Sequence, residues 1–469
     1  MNPFPTPYPT LLGDDPALQT ALSTAVSEAL TEYPGLAHPF RTAISFVAVD
    51  QMPDGLGFRH AGLHYGDSYF TASLAKIGAL YAAYELRRSV NAVAREVTTP
   101  QKLFTRLRSG EFDGVIDASV PAIAHAPGLT RAQRLPKYEQ IFATTPAAGA
   151  LACSFQPGFQ DKLNKMIIKG TNETAAAVIQ ALGYSWINGA LKAGGFFFPP
   201  ASTGIWLAGT FTGSLPPVLI PSVNDGKVAQ ASTCFDMANL YAHIIRRTLV
   251  DPDSSNFMHA LLATSAGGGD DISFLDFARR PVLPPRDFGV VESKVGYAPL
   301  KTGIKVVSEA AVVESLGTGQ QFVVVFQNSL DDNANSLPAL GYIVDRTIKL
   351  SHPAPTGHLP PTTPSAVIQA LAAMGVDFSV SEANLRDWLT NPDFTPYPAI
   401  AQALLAWGRG FKAPVFLDVI VWNYEHTPGV SSPRSVADVK PDILKAAVLE
   451  ASNERYGTQA TAVEQLFTA

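Results

Sequence analysis

The stretch SYFTASLAKIGALYAAYELRR, residues 68–88, decides how this chain is read. An aromatic lead-in ends at Ser73, after which Ala and Leu dominate with no Gly or Pro beyond Gly78. Such a run is helix-forming and too apolar for a surface helix, so a largely buried helix is expected from Ser73. In a helix, positions i and i+3 share a face, which sets the Lys76 ammonium beside the Ser73 hydroxyl. A serine needs a base to become a nucleophile, and a desolvated lysine is one. The start of the helix adds a positive dipole end and a free N–H near a developing oxyanion. Taken alone, one Ser-x-x-Lys match arises by chance about once in such a chain, with Ser73 a helix cap and Lys76 a surface residue.

Outward from this stretch, Ile44–Asp50 (ISFVAVD) reads as a strand from its β-branched content. Helices are expected at Thr174–Leu182 and Ser232–Thr248, then strands at Val290–Tyr297, Glu309–Glu314 and Phe322–Asn328, the last two joined by SLGTGQ. Strands, then many helices, then an antiparallel meander make an α+β layout.

Two further stretches carry a resemblance. Residues 166–183, MIIKGTNETAAAVIQALG, precede YSWINGALKAGGFF, and Lys294-Val295-Gly296 and Lys301-Thr302-Gly303 follow downstream. With Ser73-Leu74-Ala75-Lys76, these resemble the motif set Ser-x-x-Lys, Ser-Asp-Asn, Lys-Thr-Gly of class A β-lactamases and penicillin-binding proteins. The resemblance covers about residues 15–350 and implies an antiparallel sheet flanked by helices. Its second motif is altered. Counting back from Leu182-Gly183 puts Asn172 on the motif asparagine and Gly170 on its serine; anchoring on Ala175-Ala176 instead puts Thr171 on the serine and Glu173 on the asparagine. The first register is preferred, and it removes a proton-shuttling hydroxyl. For the third motif, Lys294 fits the strand and Lys301 the letter pattern; Lys294 is preferred because Pro299 is expected to interrupt the strand.

The resemblance thus implies a serine acyl-transfer hydrolase acting on an amide or ester, an amidase, esterase or peptidase. Ser73 is the nucleophile and Lys76 the base; Asn172 and Lys294 orient substrate, and the Ser73 and Tyr297 N–H groups form the oxyanion hole. Thr171 and Lys301 stand as alternatives. Class A enzymes deacylate through a loop glutamate, yet from Tyr184 to Gln230 the only acid is Asp225. A catalytically reduced binding or scaffolding protein, or an acyltransferase, is therefore the competing reading.

Composition bounds the rest. The chain has 469 residues, 34 Lys+Arg against 40 Asp+Glu, a net charge of −6 and 46% hydrophobic residues. A sizeable core is expected, and a general nucleic-acid binder is not. Cys153 and Cys234, the two cysteines, make no disulfide framework. No apolar run of about 18 residues suggests a membrane span, and the N-terminus reads as cytoplasmic unless a leader was removed, which would make the chain periplasmic or secreted. No cofactor is expected. His60 and His64 stand four apart but fall in a strand-and-turn segment, so no metal is expected either. GGGDD, from Gly267, reads as a loop. The expected partner is a small-molecule or peptide-like substrate, with the lysines suiting an anionic group; its identity and the oligomeric state stay open. Domains are read as 1–352, with an insertion at roughly 97–160, a proline-rich linker at 353–364 and a mostly helical 365–469 holding Trp388, Trp407 and Trp422.

Overall fold

A computed structural model describes residues 2–36, 41–53, 55–268, 273–280, 286–316 and 318–351. The linker and the expected C-terminal helical domain lie outside the described residues, as does most of the glycine-rich GGGDD segment.

The centre is one sheet of six strands: β1 (Leu12–Asp14), β2 (Ala43–Met52), β3 (Gly55–Leu63), β4 (Phe288–Pro299), β5 (Lys305–Ser315) and β6 (Gln321–Leu330). They lie in the order β1-β3-β2-β6-β5-β4, antiparallel except for the short β1–β3 pair. The α+β arrangement expected from the sequence is the one found, an antiparallel sheet with helices on both faces. β6 shows why. Phe322, Val324 and Phe326 enter one core, whereas Val323 and Val325 enter the other, so the strand's period of two buries both faces.

On one face pack α1 (Pro16–Glu32) and, after β6, the helix Ser336–Ser351. No motif announces either. The first is begun by Asp15, whose carboxylate accepts from the N–H groups of Ala17 (2.8 Å) and Leu18 (3.2 Å), with Pro16 opening the first turn. On the other face lies α2 (Lys76–Ala94), followed by α3 (Pro157–Ile168), α4 (Asn172–Leu182), α5 (Cys234–Arg246) and α6 (Pro252–Gly268). Residues of the expected insertion form short helices, among them Pro100–Leu107 and Asp113–Ala118, and a hairpin of Phe142–Ala147 with Ala150–Phe155.

Two details differ from expectation. The helix after Ser73 begins with a tight 3-10 turn, Ala72–Ala75, and becomes α-helical only at Lys76. Pro299 does not interrupt the fourth strand but closes it, pairing with Lys305 where a missing N–H costs the ladder little.

The first residues run as an extended strap across the helical face. The Pro3 carbonyl accepts from Ser89 (2.7 Å), Tyr8 donates its hydroxyl to the fully buried Glu85 (2.5 Å), and Leu11 N–H donates to Asn239 (2.9 Å). Phe4 stacks on Trp186 at 5.2 Å. Arg88 closes the other oxygen of Glu85 at 2.7 Å, so this buried carboxylate is paired.

Candidate active site

Ser73 is presented by a turn pressed against the sheet edge. A two-residue strand, Tyr69–Phe70, pairs with Gln230–Ser232 and delivers the chain to Thr71. The Thr71 carbonyl accepts from Leu74 N–H at 3.1 Å. Between them Ala72 takes φ 46°, the left-handed region that a Cβ disfavours. Gly296 on β4 packs straight onto this turn: a Cβ there would stand 2.2 Å from the Thr71 carbonyl oxygen and 2.9 Å from Leu74 N. Glycine is required by close approach.

One turn on, Lys76 is fully buried. Its ammonium donates to the Gly170 carbonyl and, at 3.1 Å, to Asn172 Oδ1, and it lies 4.8 Å from the centroid of the Phe211 ring. Gly170 follows the last turn of α3 with φ 65°, a helix stop that only glycine adopts readily. That turn aims its carbonyl at Lys76, and α4 starts two residues later with Asn172 at its head. Thr171 caps the helix in position only; its hydroxyl shares a hydrogen bond with Thr174. The structure therefore brings Gly170 and Asn172 to Lys76 and turns the Thr171 hydroxyl to Thr174.

Lys294 is fully buried on β4, opposite Ala310 and on the same strand face as Gly296. Tyr297, which follows Gly296, is 44% exposed. Lys301 lies in the turn after β4 and is tied elsewhere: its ammonium donates to the carbonyls of Asp225 (2.9 Å) and Lys227 (2.7 Å). Asp225, the sole acid of its segment, accepts from Lys301 N–H at 2.7 Å.

His60 and His64 differ in setting, His64 being exposed and His60 buried. His60 is buried between Tyr65 and Phe235, its Nε2 3.2 Å from Ser45 Oγ, and burial lowers its pKa. Among the described residues no cluster of three metal-binding side chains occurs, and no helix is long and apolar enough to cross a membrane.

Two residues at the site carry no sequence motif. Phe211 has φ 61° and sits on a loop closed by the Val218 N–H bond to Ala208 (2.9 Å), with Thr210, Ser214 and Gln180 hydrogen-bonded beneath it. The nearest signal is its neighbouring pair Gly209 and Gly213. Ser308, on β5, donates to the Thr71 carbonyl at 3.0 Å and announces itself in no pattern at all.

Neither a known protein family nor a curated protein matches the chain. Solved structures do. A class A β-lactamase from Bacteroides cellulosilyticus DSM 14838 is similar at 14% identity and TM-score 0.40, covering 72% of this chain and 99% of that one. A β-lactamase from Sphaerobacter thermophilus DSM 20745 gives 15% and 0.39 over 72% and 99%. A variant of PBP-A, solved as its acyl-enzyme complex with penicillin G, gives 16% and 0.39 over 73% and 99%. By the strand order and helix layers described above, the chain has the antiparallel sheet flanked by helices that its motifs implied.

Proposed function

We propose that the chain is a serine acyl-transfer enzyme that opens an amide or ester through an acyl-enzyme on Ser73. The observation that carries this is the fully buried Lys76 ammonium, one helical turn from Ser73, held by the Gly170 carbonyl and Asn172 Oδ1. Burying a lysine is costly unless it is hydrogen-bonded, and these two acceptors meet that cost while keeping the group one turn from Ser73. In this reading Lys76 acts in its neutral amine form, taking the Ser73 proton and becoming the ammonium as the hydroxyl attacks the carbonyl carbon. The Ser73 and Tyr297 N–H groups receive the oxyanion, and the proton passes to the departing nitrogen or oxygen. Lys294, buried on the strand beside the turn, orients an anionic or strongly polar part of the substrate, and Asn172 fixes Lys76 and the acyl side chain. In this reading Thr171 and Lys301 support the structure, as their bonds to Thr174 and to the 225–227 segment suit.

The test is intact-mass analysis after exposure to benzylpenicillin and to an activated ester. A single covalent adduct on the wild-type chain, absent from Ser73→Ala, is the expected result. A chain that takes up no acylating probe is instead a binding or scaffolding protein. Adding hydroxylamine or an amino acid ester after acylation separates transfer to an amine from hydrolysis.

A further inference from the structure

We propose that Ser308, facing a β-bulge at Gln327 and Asn328, is a positioning residue that holds the turn presenting Ser73. The inference rests on reading Ser73 as the nucleophile.

Ser308 is buried and pairs with Gly296 across β5 and β4. Its hydroxyl donates to the Thr71 carbonyl at 3.0 Å and lies 3.5 Å from the Gly296 carbonyl. The Thr71 carbonyl is thus gripped twice, by Ser308 and by Leu74 N–H. Ala72, within the turn that the Thr71–Leu74 bond closes, holds its left-handed φ of 46°. Such a conformation is disfavoured for an alanine and persists only where the surroundings over-determine it.

The same irregularity grips the segment from its other side. β5 and β6 pair Val307 with Ser329 and then Glu309 with Phe326, so Gln327 and Asn328 together face Ser308. Asn328 takes φ 60°, a conformation asparagine tolerates in bulges. Gln327 donates to Ser232 Oγ at 2.7 Å, and Ser232 pairs with Tyr69. Asn328 Oδ1 accepts from Asn224 Nδ2 at 3.1 Å, while Asn224 Oδ1 accepts from Phe70 N–H at 2.9 Å. Tyr69, Phe70 and Thr71, the three residues that deliver the turn, are all tied to one bulge and the serine opposite it. Bulges re-aim side chains beside active sites, and here the aimed group is a hydroxyl that sets a main-chain carbonyl. A serine present only to fill space would leave the turn and its reactivity unchanged.

The experiment compares wild type, Ser308→Ala and Asn328→Gly, the last keeping a backbone free to adopt positive φ while cutting the link to Asn224. Stopped-flow acylation by benzylpenicillin and by p-nitrophenyl acetate gives the limiting rate and the half-saturating concentration separately. Native-state exchange of the Leu74 amide is read alongside. In Ser308→Ala the limiting rate is expected to fall about tenfold with half-saturation unchanged, and the Leu74 amide to exchange faster by a similar factor. An unchanged limiting rate on a wild type that does label, or a Leu74 amide as protected as before, overturns the proposal. If no probe labels wild type, the enzymatic reading fails, and Leu74 exchange alone decides whether Ser308 holds the turn. If Ser308→Ala raises exchange throughout the chain, Asn328→Gly decides by the same two readouts.

Discussion

Replacing Gly296 by alanine tests the contact on which the site is built. The added methyl would stand 2.2 Å from the Thr71 carbonyl oxygen, 2.6 Å from Ser308 Oγ and 2.9 Å from Leu74 N. Carbon–oxygen contact settles at about 3.5 Å, so the overlap is roughly 1 Å, and two of the three atoms are main chain. Rotation of a side chain does not relieve it. Either β4 or the turn must move, and over-packing of this kind costs about 1–3 kcal/mol. A displacement of about 1 Å at a nucleophile is enough to reduce its reaction roughly a hundredfold. Urea unfolding of Gly296→Ala is therefore expected to show a stability lowered by that free energy, read as a lower midpoint at unchanged slope. The acylation rate should fall by the larger factor. If Gly296→Ala unfolds like wild type and acylates at its rate, the turn does not rest on β4 and the geometry of the site is wrong.

Two further outcomes follow from buried charges. Burial pushes the Asp236 carboxyl up to about 6 despite the hydroxyl it accepts from Thr233. The folded chain therefore keeps this proton between about pH 4 and pH 6 while the unfolded chain has lost it, so the group's contribution to stability drops as pH rises through that window and stays low above it. Asp236→Asn should remove a pH-dependent loss of up to about 3 kcal/mol, measured as the wild-type-minus-variant difference in urea stability at pH 4 and pH 7. An equal difference at the two values contradicts it. Tyr8→Phe removes the hydroxyl that joins Glu85 to Val250 N–H and leaves a buried carboxylate with one donor fewer. A loss of about 1–3 kcal/mol is expected, and thermal unfolding indistinguishable from wild type counts against the strap.

The parts of this architecture visible in the sequence are those whose signal is local. β2, β4, β5 and β6 announce themselves by β-branched runs, and α2 by an alanine-rich stretch without breakers. Ser73 and Lys76 are legible for the same reason, since helical spacing alone sets them one turn apart. The pairing of Lys76 with Asn172 is not local. It depends on where α3 stops, and the sign of that stop is Gly170, which a motif comparison reads as a lost serine and the backbone uses as a left-handed turn. The helix Ser336–Ser351 escapes notice because its apolar stripe makes sense only against the sheet it covers. Ser308 and Phe211 are invisible for a further reason: one is brought to the site by strand pairing, the other by a loop, and neither placement leaves a periodic trace.

The strap has a mechanical consequence. Residues 3–11 cross the helical face before entering β1, and their anchors Glu85 and Ser89 stand on the helix that begins at Lys76. Glu85 is about 13 Å along that helix from Lys76, at 1.5 Å per residue. A pull on residues 3–8 would reach the helices under the strap, Lys76–Ala94 among them, before the sheet felt it. Cleavage after Tyr8, or a bulky fusion that lifts Phe4 from Trp186, would slacken the far end of the helix whose near end holds Lys76.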